Sequence, residues 1–588
     1  MEEGNDRKSE KTEHGMLVAW GYFAKKYGLT EKFKQKVKVE RHHQNIEPAD
    51  LILEFGLLLL SGGVQLQDLN HGSHPLVKDQ VVQRIWGIKM GHYTTVSRVL
   101  KAATAETVAQ VVQVLDEFSQ PFLEREIEQI GLQGKKLTLF ADLTGRAVSV
   151  NSQTYPEAQW GYMDGTLEMG YQYALISFQG QSYRIGLAGF LHPGDTVSPQ
   201  CLGELVEVAE KHLQCHPYRR VHLLQERIEH LQKQLEEVAC QDTSCQMRLI
   251  EKDELYQSLQ AQIAEQQLAQ QARDTKSAKV QSQLEKYLKR SQRTQQEAQI
   301  IHNQKIRLQE KTNRLQMEKE RLQSWQDRLR SENENNPNPV PIRILLDGAF
   351  SSGENLAYLI ELGYDLITLG NGQCVQALQR ELPAEPIWQE ASLLVKLWEG
   401  NSSLVGKCPY KLRRILQKWR TEPRTRYSIM LVYENTPFLP LPEVFSTYHQ
   451  RQSIEAGNRQ GKSSLNAKHI RVRSPAALVL LNLFAFIFWP NFIHWASDWL
   501  QEQNSHFSPH FQACLETVRN QVRVGAQTTA FLTIIHDQID LVFSSDGPFA
   551  GSSLHLNALQ VYQLFLPFFV CQLPISLECC PLLSKPPG

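Results

Sequence analysis

The spacing of apolar residues changes along the chain, and each spacing predicts a different element. Between residues 15 and 130 apolar residues recur at helical spacing, in 51–59 and again in 96–115. From Lys135 short β-branched or aromatic runs alternate with glycine-containing turns, as KKLTLFAD, YQYALISF and QSYRIGLAGF. The sequence therefore predicts a helical N-terminal region, 1–130, and then a three-strand meander within 131–217.

Two more buried strands are predicted further along, IRILLD at 342–347 and DLITLG at 365–370. A helical stretch begins near Gln200, and another separates the two strands. The resulting order, β-β-β-α-β-α-β, predicts an α/β fold whose second half occupies 336–372. This order of elements resembles a ribonuclease-H-like mixed-sheet domain.

The segment between these halves, 218–335, has the pattern of a coiled coil. Residues 218–330 contain no Gly or Pro, and a seven-residue apolar column runs through Ile301, Leu308, Leu315, Leu322 and Leu329. A weak patch at 271–278 allows the chain to reverse into an antiparallel hairpin with arms of roughly 75 Å. A parallel zipper between two chains is the alternative. The second arm is basic, through Lys286, Lys289, Arg290 and Arg293 among others, which suits either a solvated face or contact with DNA.

Three other regions are less informative. Residues 373–440 form a basic insertion with aromatic residues, and 501–588 give no clear pattern. The apolar run at 476–493, within the region 441–500, is nearly long enough to cross a membrane, but Asn482 and Pro490 interrupt it. We therefore predict a buried core helix there and no membrane partner.

Composition limits the class of protein only loosely. The 62 Lys and Arg nearly balance the 63 Asp and Glu, so a nucleic-acid surface has to come from local clustering. Ten cysteines show no zinc-type spacing, and the charged N-terminus has no apolar run behind it, which predicts a cytoplasmic protein. In the N-terminal region, Thr94 or Thr95 is placed to cap a helix that displays Arg98 and Lys101. That helix fits either a DNA-binding head or a bundle that only packs.

Three carboxylates stand where such a sheet brings side chains together. Asp142 is predicted to end the first strand and Asp347 the fourth, and Glu455 lies in a predicted single helix, STYHQRQSIEAGNRQGK. Strand ends share one rim of a sheet, and a following helix can place a third carboxylate there. Hard oxygen ligands suit Mg²⁺ or Mn²⁺, and two such ions serve phosphodiester chemistry. An Asp at a strand end is also a common cap or turn residue.

The Glu455 helix carries a more specific pattern. Tyr448, Arg451, Glu455 and Lys462 have the spacing Y-x2-R-x3-E-x6-K. On one helix Arg451, Glu455 and Lys462 fall near one face. A solvated helix with an Arg–Glu ion pair explains two of the four residues, but not all of them.

These motifs resemble the DDE transposases of bacterial insertion sequences, in the branch marked by this tyrosine, arginine, glutamate and lysine. The likeness covers roughly 50–215 and 340–500, with Phe140-Ala141-Asp142-Leu143-Thr144 as the first block and LLDGAFSSGENLAYLIELGYDLITLGNG as the second. It implies metal-dependent cleavage at transposon ends, followed by attack of the freed 3′ hydroxyl on another phosphodiester. The coiled coil departs from the family, because it interrupts the stretch between the two aspartates.

The resemblance also implies partners and further site residues. Asp142, Asp347 and Glu455 would bind two Mg²⁺ or Mn²⁺ ions. DNA would be held by Tyr448, Arg451, Arg459 and Lys462, and a flipped base would stack on Trp419 unless that ring only packs. The partners would be terminal inverted repeats and target DNA, bound by a homodimer. Two alternatives remain: a nuclease of the same fold that does not join strands, and a catalytically dead coiled-coil DNA-binding protein.

Overall fold

The computed structural model describes residues 8–40, 45–150, 155–163, 165–271, 278–420, 425–435, 438–503, 528–535, 538–544 and 553–556. Its contacts divide the chain into two compact units. The larger, the core unit, consists of 1–216, 340–357 and 364–588, and the smaller, the hairpin unit, of 217–339 and 358–363.

The N-terminal part of the core unit is helical after one short strand. The elements are β1 (Lys8–Thr12), α1 (Gly15–Lys26), α2 (Leu29–Lys36), α3 (Pro48–Leu60), α4 (Asp68–His71), α5 (Gln80–Trp86), α6 (Tyr93–Ala102) and α7 (Ala105–Leu132). Helix α3 is buried at every position, including its two acidic residues, Asp50 and Glu54. The predicted threonine cap of α6 is wrong: the His92 side chain accepts the Thr94 N–H instead. Arg98 and Lys101 are exposed, as that prediction required.

A ten-stranded mixed sheet forms the middle of the core unit, so the α/β class is confirmed. Its strands are β2 (Leu137–Ala147), β3 (Gln159–Met163), β4 (Thr166–Gln179), β5 (Arg184–Pro193), β6 (Ile342–Leu346), β7 (Asp365–Leu369), β8 (Gln389–Ser392), β9 (Val395–Ser403), β10 (Leu412–Trp419) and β11 (Arg426–Tyr433). The order is β3-β4-β2-β6-β7-β11-β10-β9-β8, and β5 also pairs with β4. Strands β2, β6 and β7 are parallel, and the other pairs are antiparallel.

The basic insertion at 373–440 is part of this sheet. After α12 (Gly372–Arg380), strands β8 to β11 continue the sheet beyond β7, which the sequence did not reveal. Two of the arginines that gave the segment its basic character form ion pairs: Arg413 with Glu399 at 2.8 Å and Arg414 with Glu381 at 2.7 Å. These pairs join β10 to β9 and to the C-terminal end of α12.

The hairpin unit consists of two long antiparallel helices. α9 (Val221–Gln271) and α10 (Ala278–Glu334) pack on each other, and α8 (Ser198–Leu213) precedes them in the core unit. Lys252 binds Glu297 at 2.7 Å and Gln260 donates to Ser291 at 3.0 Å, so α9 residues near the turn face α10 residues near the turn. The arms therefore meet within one chain, while the reversal at 272–277 lies outside the described residues.

The apolar run near residue 480 lies inside the core unit. It forms α15 (Pro475–Asn482), a π-helical turn (Leu483–Phe488) and α16 (Trp489–Gln503), after α11 (Gly353–Glu361), α13 (Leu441–His449) and α14 (Gln452–Arg459) earlier in the chain. By length and composition Pro475–Gln503 passes as a membrane span, yet 94% of its most apolar window is buried within the protein. It is a core helix, as predicted.

Strand β1 belongs to a second sheet, which it forms with segments from 530–556. β1 pairs with β12 (Ala530–Ile535), which is followed by β13 (Gln538–Phe543) and β14 (Ser553–Leu556). This pairing joins residues more than 500 positions apart, Lys8 with Ile534 for example. Local sequence patterns carry no sign of so distant a partner.

Candidate functional site

Asp142 and Asp347 occupy equivalent positions on two adjacent parallel strands. The parallel ladder between β2 and β6 ends with the pair Ala141 and Leu346, and each aspartate is the next residue. Neighbouring strands lie about 4.8 Å apart, so the two carboxylates start from adjacent points of the sheet. Asp142 does not end its strand as predicted, because β2 continues antiparallel to β4 as far as Ala147.

The predicted signature helix is two helices, and that single-helix prediction is wrong. Tyr448 lies in the last turn of α13, and Glu455 lies in the first turn of α14. Between them, the Gln450 N–H bonds to Thr447 O and the Arg451 N–H bonds to Tyr448 O. These tight turns redirect the chain while keeping Arg451 beside Glu455.

Arg451 is the electrostatic centre of the group. Its Nη2 lies 3.0 Å from Oε1 of Glu455, whose side chain is 59% exposed. Burial alone lowers the pKa of Arg451, but interactions with Tyr448, Asp347, Asp142 and Glu455 outweigh it and raise that pKa. One guanidinium thus sits in the field of all three predicted carboxylates.

Asp142 is half-buried, and its neighbours act on its charge in opposite directions. Burial raises its pKa; Arg451 opposes the rise and nearby Asp347 adds to it. The amide of Asn458, one turn beyond Glu455 on α14, donates to Asp142 Oδ2 at 2.6 Å. The Asn458 Oδ1 atom is buried with no hydrogen-bond partner among the described residues. A buried acceptor oxygen thus stands beside the Asp142 carboxylate, which sequence reasoning missed.

Tyr448 and Trp419, two predicted DNA contacts, both form hydrogen bonds within the core unit. Tyr448 is 8% exposed, and its hydroxyl donates to Leu346 O at 3.1 Å, which ties α13 to the end of β6 beside Asp347. Burial raises the pKa of Tyr448 to about 12. The Trp419 indole donates to Ser428 Oγ at 2.8 Å, and its ring packs near Phe445. Tyr448 therefore positions a neighbouring strand, and Trp419 fits the packing alternative.

One cavity of about 1080 Å³ contains all three predicted carboxylates. Its lining also includes three basic residues, of which the sequence analysis named two. These are Arg459, Lys462 and Lys468. The strand β3 adds Trp160 and Tyr162, whose side chains are 51% and 77% exposed. Two exposed aromatics at alternate positions of a strand, W-G-Y, were the available signal for this side of the cavity.

The lining of the cavity includes oxygen ligands suited to a divalent cation, but they are not gathered around one point. Carboxylates and the unpartnered Asn458 oxygen are the hard ligands that Mg²⁺ and Mn²⁺ prefer. Nevertheless, within the described ranges no three His, Cys, Asp or Glu side chains stand close enough to share an ion. Glu455 turns toward Arg451, and because it is exposed, it can reach another rotamer without unpacking the core. The residue types in this lining are those that bind such ions, but in the described residues their side chains do not converge on one point.

A scan against protein-family models and a search of curated proteins find no match to this chain.

Proposed function

We propose that the chain is a DNA transposase of the DDE type, which cuts DNA at transposon ends and joins the freed 3′ end to a target. The observation that carries the proposal is the register that sets Asp142 and Asp347 side by side, in one cavity with Glu455. The strand order β5-β4-β2-β6-β7, antiparallel on one side and parallel on the other, supports a ribonuclease-H-like core. The metal ligands would be Asp142, Asp347 and Glu455, which would bind two Mg²⁺ or Mn²⁺ ions.

Bound there, such ions would activate the attacking oxygen and stabilise the leaving 3′ oxygen of a phosphodiester. The chain's own residues supply the rest. Asn458 holds the Asp142 carboxylate in place, and Tyr448 fixes the end of β6 next to Asp347. Arg451 balances the negative charge of the carboxylates.

The basic residues of the cavity would bind the DNA backbone. Arg459, Lys462 and Lys468 line the same space as the acids, and charge-assisted bonds to phosphate are strong. Trp160 and Tyr162 are better placed than Trp419 to stack on an extruded base, because they line this cavity and are exposed. Partners in this proposal are terminal inverted repeats and target DNA, bound by a homodimer in a bacterial cytoplasm.

The test is cleavage and joining of DNA by the full chain. We expect nicking of supercoiled plasmid with Mg²⁺ or Mn²⁺, and joining of a 3′-hydroxyl oligonucleotide to a second DNA. Asp347→Asn should lower the cleavage rate by about 10³-fold or more, because metal-centred charge stabilisation is worth several kcal/mol. DNA affinity should stay within a few-fold of the parent.

Asp195→Asn is the matched control. Asp195 is an exposed acid in the lining of the same cavity with no assigned role, so this variant should keep the parent rate. Equal loss in both variants would reject the site assignment. Cleavage without joining would favour the nuclease, and binding without cleavage would favour the catalytically dead DNA-binding protein.

A further inference from the structure

The outer surface of α10 carries a column of basic side chains. Every seventh residue from Lys279 to Arg328 is a lysine or an arginine, except Ile300. All of these basic side chains are exposed. The column consists of Lys279, Lys286, Arg293, Arg307, Arg314, Arg321 and Arg328.

This basic column faces away from α9. The buried residues of α10 fall in two other columns of the same repeat. One contains Thr294, Ile301, Leu308, Leu322 and Leu329, and the other contains Ser291 and Gln326. In a seven-residue repeat each residue advances by roughly 103°, so the basic column lies roughly 100° from the first buried column and roughly 150° from the second. Its charges point to solvent and take no part in the seam between the arms.

Few of these charges are neutralised within the chain. Arg293 pairs with Glu297 and Arg328 with Glu332, both four residues along the same helix. Across the described part of the chain, no ion pair involves the other five basic residues of the column. Exposed charges at this spacing repel one another in the isolated chain, so a polyanion would relieve the repulsion.

A second copy of the hairpin is a poor complement. Acids are frequent on the hairpin, but consecutive seven-residue steps meet at most two of them on α9, Glu229 and Glu236, and three on α10, Glu320, Asp327 and Glu334. Duplex DNA, by contrast, presents about one negative charge per 1.7 Å of its axis along any length. The 49 residues between Lys279 and Arg328 correspond to about 74 Å of helix. That length spans about 22 base pairs at a rise of 3.4 Å.

We propose that the basic column of α10 binds the phosphate backbone of double-stranded DNA along the hairpin. The inference rests on the proposed function in taking DNA as the substrate. It adds a DNA surface in the hairpin unit, made of different residues from the cavity that holds Asp142. Since phosphate contacts carry no base information, binding at this column is independent of sequence.

The test compares two triple variants of the full chain that lose the same charge. The first variant removes three charges of the column and consists of Lys286→Gln, Arg307→Gln and Arg314→Gln. Lys289→Gln with Arg290→Gln and Lys311→Gln removes three exposed charges of α10 outside it. Glutamine is a good helix former, so both variants should keep the hairpin, as circular dichroism will show.

Affinity is measured for a duplex of about 30 base pairs and arbitrary sequence, long enough to cover the column at 3.4 Å per pair, over a range of salt concentrations. Loss of three phosphate contacts should reduce the slope of log affinity against log salt by about 2.7. The off-column variant should keep the parent slope. Equal slope changes in both variants, or none in the column variant, would overturn the proposal.

Sedimentation without DNA tests whether the basic column instead binds a second copy of the chain. If the column variant loses self-association while its salt slope stays at the parent value, the column is a surface for a second copy and the proposal fails. The proposed function is judged separately, by cleavage in the parent and in Asp347→Asn. A chain that never cleaves but shows the slope difference would lose the transposase assignment and keep the DNA surface.

Discussion

The sheet around Asp142 and the helical hairpin bury their interiors in different ways. The sheet interior is built from fully buried apolar side chains contributed by distant segments, such as Phe140, Leu345 and Met430. The hairpin interior mixes apolar residues with polar ones, including Ser291 and Gln326, and its two arms are neighbours in sequence. In the sheet, a one-residue change of register would turn Asp142 away from the rim, whereas the hairpin needs only an approximate seven-residue repeat.

This difference shows where each region can carry function. The sheet fixes side chains from several segments at one point, which suits chemistry. The hairpin fixes only its seam and leaves its outer surface free to vary, which suits a long contact with another molecule.

The largest effect on the free energy of unfolding should come from replacing one buried leucine in the sheet and one in the hairpin. Leu345→Ala removes a fully buried side chain and should cost about 3–5 kcal/mol, while Leu308→Ala, at 9% exposure, should cost about 1–3 kcal/mol. Urea denaturation followed by circular dichroism measures both. Equal costs would contradict the contrast between a close-packed sheet and a tolerant hairpin.

Buried and exposed carboxylates should respond to pH in opposite ways. Burial raises the pKa of Glu54 to about 8, while its Oε2 accepts the Gly91 N–H at 2.8 Å. In the hairpin, hydrogen bonds from Lys252 and Arg293 lower the pKa of Glu297. When folding raises the pKa of a carboxyl group, the group's contribution to stability is fully present below its unfolded pKa, here 4.5. That contribution is lost as pH rises toward the folded pKa of about 8.

Glu54→Gln should therefore gain stability relative to the parent as pH rises from 5 to 8.5, by about 1 kcal/mol or more. Glu297→Gln should show no trend over this range, because Glu297 is ionised throughout it; the advantage of the parent should instead decline as pH falls below 4.5. Melting temperatures of both variants, measured from below pH 4.5 up to pH 8.5, test the pair. A gain for Glu54→Gln that does not change with pH would show that Glu54 is ionised in the folded protein.

A hydrogen bond in each unit gives a smaller effect. Tyr448→Phe leaves the buried Leu346 carbonyl without its side-chain donor and should cost about 1–2 kcal/mol. Ser291→Ala, which removes the acceptor of the Gln260 amide on the hairpin, should cost less than about 0.5 kcal/mol. If Tyr448→Phe also slows DNA cleavage while DNA affinity is retained, the tyrosine positions the Asp347 strand.

The smallest effect should have the opposite sign. Lys305 of α10 donates to Gln246 of α9 at a position of the seam where an apolar pair would also fit. Replacing both with leucine should stabilise the hairpin by about 1 kcal/mol, because polar seam pairs specify alignment at a cost in stability. Thermal melts measure the gain, and a loss would show that the polar pair stabilises the hairpin.

Local patterns were enough to locate most of the elements. Strands β2, β4, β6 and β7 lie where apolar runs predicted them, and the seam of α10 follows the predicted Ile301 to Leu329 column. Cavity residues Asp142, Asp347, Glu455, Arg459 and Lys462 were all named from the sequence. All of them except Arg459 belong to a motif quoted in the sequence analysis.

What the sequence could not provide was the pairing of distant segments. The 373–440 insertion was described as basic because its arginines stand out in the sequence. Only the folded structure shows that Arg413 pairs with Glu399 and Arg414 with Glu381. Likewise, nothing in the sequence around Asn458 shows that it lines the cavity of Asp142.

The sequence by itself determined the periodicities, and with them strands β2, β4, β5, β6 and β7, the long helices and the spacing of the acidic residues. Tertiary structure alone decided that Asp142 and Asp347 are neighbours, that Arg451 stands among three carboxylates, and that β1 shares a sheet with β12. Periodicity reflects which face of an element is buried, a property of a few adjacent residues. Register and pairing are set by the free energy of packing segments hundreds of residues apart, which no short window of sequence contains.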